Sequence, residues 1–154
     1  MIMAEVVKAE GAARLLKEAA CPLVVIGSQA SNEVLEAAVR IAKGASARVA
    51  ATGNTVAALK GMGLDAKKEW TIEIVNRMTL PQGFEGEDKP DLLVFIGFYP
   101  YVLHGVLSTL KHFSECRTLV LERRYFESAD FSFPKMSKRE WVEELRKVAE
   151  GVSV

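Results

Sequence analysis

Residues 22–44, PLVVIGSQASNEVLEAAVRIAKG, decide how this chain folds. Pro22 ends the helix before it, because its ring disfavours helical geometry in Cys21 and its nitrogen carries no hydrogen. Residues 23–26 form a short, wholly apolar run, the mark of a strand covered on both faces. Gly27, Ser28, Gln29 and Ala30 read as a turn. Ser31 is then a natural N-cap, worth about 1 kcal/mol. From it Val34, Leu35, Ala38, Ile41 and Ala42 recur at helical spacing until Gly44 closes the segment.

The same alternation extends in both directions. Upstream, residues 7–20 place Ala12, Leu15, Leu16 and Ala19 on one side of an amphipathic helix, with Lys8, Glu10, Arg14, Lys17 and Glu18 on the other. Downstream, residues 48–51 read as a second strand, followed by the turn Thr52-Gly53-Asn54-Thr55 and a short helix ending near Gly61 to Gly63. Residues 70–80 lack a clean period and lean towards helix, and residues 81–90 read as a solvated connection. Residues 92–96 are a strongly apolar strand closed by Gly97. The following helix carries Leu103, Val106, Leu107, Leu110 and Phe113 on one face. Residues 118–121 are the last clear strand. Ser137 and Glu140 then form a capping box for a final helix, whose apolar face is Trp141, Val142, Leu145 and Val148. The expectation is one α/β domain over residues 1–154, a doubly wound, mostly parallel sheet with helices on both faces.

Composition narrows the function. The chain has 154 residues, is 49% hydrophobic and 26% charged, and carries 20 basic against 20 acidic side chains. Such a balance gives no broad field for nucleic-acid phosphates or an anionic membrane surface, so neither partner is expected. Cys21 and Cys116 form no CxxC, so this chain alone builds no thiolate zinc site and no four-cysteine cluster. No apolar run reaches the roughly 18 residues that cross a bilayer, and residues 1–8 lack a signal-peptide pattern, which points to the cytoplasm.

In an open parallel sheet, ligands bind beyond the carboxyl ends of the strands. Three turns are expected there: Gly27-Ser28-Gln29, Gly53-Asn54-Thr55 and Gly97-Phe98-Tyr99. Each glycine would let backbone approach a phosphate, although GxGxxG and GxxxxGK[ST] are absent and a glycine after a strand also serves simply to start a turn. His104 and His112 lie two helical turns apart, too far for a one-turn metal pair, and neither has an acidic or cysteine neighbour in sequence to mark it as catalytic. No GxSxG is present to place a nucleophilic serine. Arg123, Arg124, Tyr125 and Phe126 have the composition of an interface centre, and equally that of a solvated strand end beside core aromatics. Phe98, Tyr99 and Tyr101 allow the same two readings.

Two sets of motifs carry a resemblance. VVIGS (24–28) and VAATGNT (49–55) resemble the central domain of thiamine-diphosphate enzymes and its NAD- or FAD-binding relatives related to deoxyhypusine synthase. More specifically, AATGNT (50–55), DLLVFIGFYPY (91–101), LSTLKHF (107–113) and LERRYFESADFSFPKMS (121–137) look like the epsilon-subunit family of the archaeal acetyl-CoA decarbonylase/synthase complex.

That resemblance implies a Rossmann-like, NAD/FAD-binding-domain-like fold and a place in the one-carbon metabolism of anaerobic archaea. It implies a large nickel–iron–sulfur carbon monoxide dehydrogenase alpha subunit as partner, two large with two small. The catalytic metals would sit in that large subunit, and this one would stabilise it or help electrons reach FAD, with no catalytic residue and no activity alone. Partner-binding residues on this reading are Tyr99, Tyr101, Arg123, Arg124 and Tyr125. The alternative is a FAD- or NAD-binding electron-transfer protein with Gly27, Ser28, Gln29, Gly53, Asn54 and Gly97 around the diphosphate. A homodimer with isologous contacts is a further expectation. An independent thiamine-dependent enzyme is set aside, since no GDG motif occurs.

Overall fold

Pro22–Ile26 (β2) is buried along its whole length, because it is flanked by strands on both sides and covered on both faces. In the computed structural model the described residues are 3–52, 55–64, 66–68, 73, 78 and 89–153. Gly53, Asn54, nearly all of the helix expected over 70–80, most of the connection expected over 81–90 and the side chain of Phe113 lie outside them.

The remaining elements are β1 (Glu5–Val6), α1 (Ala9–Glu18), α2 (Asn32–Gly44), β3 (Arg48–Ala51), α3 (Thr55–Gly61), β4 (Lys67–Lys68), β5 (Leu92–Ile96), α4 (Pro100–Phe113), β6 (Arg117–Val120), β7 (Phe131–Ser132) and α5 (Lys138–Val152). Among the described residues, seven strands form one parallel sheet in the order β1-β7-β6-β5-β2-β3-β4. From β2 the chain moves outward to β3, then returns to place β5 on the other side of β2. The strand order therefore reverses between β2 and β5, where an open sheet parts its loops.

Alternation along each strand divides the core in two. Leu92, Val94 and Ile96 of β5 face the layer built by α1, α2 and α5, whose Leu16, Ile41 and Leu145 are fully buried. Leu93 and Phe95 face α4 through Leu103, Leu107 and Leu110. Each such side chain contributes about 1.5–3 kcal/mol by leaving water. Two expected caps are present: Ser31 Oγ accepts from Val34 N at 3.4 Å, and Ser137 and Glu140 exchange both bonds of the capping box at 3.2 Å.

The differences from expectation lie in short elements. Strand β7 follows the strand read as the last one, and β1 and β4 carry no sequence signal, because two-residue strands have no period to detect. Their pairing is fixed from elsewhere in the fold: Glu5 N donates to Asp130 O at 2.9 Å and Val7 N to Ser132 O at 3.0 Å. Helix α1 is shorter than expected. Among the described residues, no helix is long and apolar enough to cross a membrane.

Candidate functional site

At the reversal point the ends of β2 and β5 touch. Gly27 N donates to Ile96 O, and Gln29 N donates to Gly97 O, both at 2.8 Å. A Cβ on Gly27 would stand 2.4 Å from the Gly97 carbonyl oxygen, so only glycine fits. Gly97 has φ +84°, in the left-handed region, and a Cβ there would meet that of Ala30 at 2.8 Å. These two glycines let one turn cross directly over the other.

The amides of the Gly97 turn are already committed. Gly97 N donates to Glu122 Oε1 at 3.0 Å and Phe98 N to Glu122 Oε2 at 2.8 Å. Glu122 follows β6 and is only 5% exposed. Burial raises its pKa from 4.5 to about 7, against the pull of the two amide donors, which favour the anion. An internal carboxylate thus takes the place that a ligand phosphate would take on such a turn.

Around Glu122 the loops enclose a cleft of about 190 Å³. Gln29 and Gly97 contribute from the glycine turns, and Phe98, Tyr99 and Pro100 from the start of α4. Arg123, Arg124 and Phe126 come from the segment after β6, and Trp141 from the start of α5. Trp141 is fixed there by its indole N–H, which donates to Leu121 O at 2.9 Å. Tyr99 and Tyr101 stack with ring centroids 5.7 Å apart, and Tyr101 is 75% exposed. Pro100 at the first position of α4 sets this geometry, since its φ suits a helix start and its missing N–H costs nothing there.

The fold therefore brings Gln29, Gly97, Tyr99, Arg123 and Arg124 to one cleft, with Tyr101 stacked on Tyr99. Gly27 lies beneath it and Ser28 is exposed in the neighbouring turn, its Oγ accepting from Gln29 Nε2 at 3.4 Å. Tyr125 does not line the cleft: it is half-buried, and its hydroxyl donates to Ala4 O at 2.6 Å. Gly53 and Asn54 lie outside the described residues. His104 is exposed, with its ring 4.8 Å from that of Phe126. Arg123 and Arg124 are both exposed and make no side-chain ion pair among the described residues.

Sequence reasoning missed Glu122 and Trp141 as parts of this site. The available signal was a glutamate directly at the carboxyl end of a buried apolar strand, where a charge must find a partner. Elsewhere, the Cys116 thiol is pushed up to about 12 by burial and by the charges of Asp91 and Asp130, which makes it a poor nucleophile. Among the described residues, no group of three metal-ligating side chains comes together.

The chain is similar to several known proteins. The acetyl-CoA decarbonylase/synthase complex subunit epsilon of Methanothermobacter thermautotrophicus is 37% identical over 149 residues, covering 94% of this chain and 86% of that protein. Subunit epsilon 1 of the same complex from Methanosarcina barkeri is 35% identical over 138 residues, covering 88% and 81%. Among solved structures, the CurK enoyl reductase is similar at 18% identity and a TM-score of 0.48, over 86% of this chain and 41% of that one. Residues 2–149 match the family described as CO dehydrogenase beta subunit/acetyl-CoA synthase epsilon subunit, and the chain belongs to that family.

Proposed function

We propose that this chain is a non-catalytic accessory subunit of a cytoplasmic acetyl-CoA decarbonylase/synthase complex, which stabilises the nickel–iron–sulfur carbon monoxide dehydrogenase alpha subunit, two small with two large. The observation that carries this reading is the exposed, stacked Tyr99–Tyr101 pair beside two exposed arginines without ion-pair partners among the described residues. Tyrosine and arginine are the side chains on which protein interfaces concentrate their binding energy. Anaerobic pull-down of the tagged protein from its native cells tests it. The retained material should contain a large nickel- and iron-bearing subunit that oxidises carbon monoxide. Recovery of the protein alone and metal-free would remove the assignment.

The electron-transfer reading, with FAD or NAD held by the glycine turns, meets an obstacle at the Gly97 turn. A diphosphate there would have to displace the buried Glu122 carboxylate from both amides. Millimolar FAD or NAD is therefore expected to leave the melting temperature unchanged. A ligand at 100 times its Kd would add about 2.7 kcal/mol, a shift of several degrees that restores the flavin reading.

A further inference from the structure

Glu122, Arg123 and Arg124 are consecutive, all line the cleft, and do not neutralise one another. Both oxygens of Glu122 are turned inward onto the Gly97 and Phe98 amides. The two arginine charges at the mouth are left unmatched among the described residues, and guanidinium groups present a planar fork suited to a carboxylate. The cleft, at about 190 Å³, is smaller than the roughly 300–1,000 Å³ typical of cofactor pockets. It is close to the roughly 150 Å³ that holds a single benzene-sized group. Its size thus suits one anchoring side chain, and its rim suits a negative one.

On the footing of the accessory-subunit reading, we propose that the large subunit inserts one aspartate or glutamate into this cleft, held by Arg123 and Arg124 and covered by Tyr99 and Tyr101. The carboxylate would supply the charge that Glu122 withholds from its neighbours. Aromatic cover would exclude water and strengthen the ion pairs.

The test titrates the purified large subunit with this chain anaerobically, at low and high salt, by calorimetry. The Arg123→Ala/Arg124→Ala double variant should raise Kd about 30-fold or more and flatten the salt dependence. Both arginines are exposed, so its unfolding midpoint should match the parent. An Arg124→Lys variant keeps the charge and adds an amine, so a carbodiimide should join position 124 to an aspartate or glutamate of the large subunit, identified by mass spectrometry. Binding by the double variant within about twofold of the parent, or a cross-link from position 124 only to this chain's own carboxylates, would overturn the anchor while the accessory role stands. Failure of the parent chain itself to bind the large subunit would overturn both.

Discussion

Glu122 and Asp91 each set both carboxylate oxygens against two successive backbone N–H groups, the first at the carboxyl end of the sheet and the second at its amino end. Glu122 accepts from Gly97 and Phe98, and Asp91 from Ala20 and Cys21 at 2.8 and 2.9 Å. Their titration nevertheless moves in opposite directions. For Asp91, burial pushes the pKa up, but the amide bonds and the charge of Arg117 together outweigh it, so the carboxyl is held below 3.8. For Glu122, burial wins and the value rises to about 7. The same hydrogen-bond pattern is thus a clasp near solvent at one end and a costly buried anion at the other; depth decides which.

The largest break in this comparison should come from Glu122→Ala. It strands two amides beneath the cleft and is expected to cost about 3–5 kcal/mol, read from the urea midpoint.

The next effect is one of pH, and the two carboxylates should show opposite slopes. Because the native pKa of Glu122 lies above its unfolded value, the folded protein holds the extra proton between about 4.5 and 7. Its contribution is full below that window and is lost as pH rises through 7, by at most about 3 kcal/mol. Melting curves of the parent and Glu122→Gln should diverge across that range, and parallel curves would mean that the anion is fully solvated by its amides. Asp91 acts in the other sense, since its contribution is present above 3.8 and lost as pH falls through its lowered native value.

The smallest effect should be that of Asp91→Ala. Water can reach the freed amides at that end, so about 1–2 kcal/mol is expected from the same urea titration. A loss equal to that of Glu122→Ala would show that depth is not what separates the two sites.

What was legible in the sequence follows from how local its cause is. Strands β2 and β5 are legible because four or five consecutive apolar residues leave little choice, and α2 and α5 because their caps lie three residues from the groups they satisfy. The turns at Gly27 and Gly97 stand at the strand ends, as their sequence suggests, but their purpose is hidden there. Gly27 and Gly97 are glycines because they press on each other's loops, a contact between positions far apart in the chain. Glu122 meets its amides 25 and 24 residues upstream, and Trp141 reaches Leu121 across 20. Such partners appear only once the sheet order is known. Tyr99, Arg123 and Arg124 were singled out by composition, and it took the fold to bring them to one cleft with Gln29.

Strand β1 pairs with β7, joining Glu5 to Phe131, and α1 packs on α5, with Ala9 N donating to Glu144. During synthesis residues 5–18 therefore have no seat until residues 131–152 have been made. One flank of the sheet stays bare through translation, and the closing step is a long-range, slow one. Removing either segment should expose the same apolar surface, which makes residues 5–18 and 131–152 a single folding unit split across the chain.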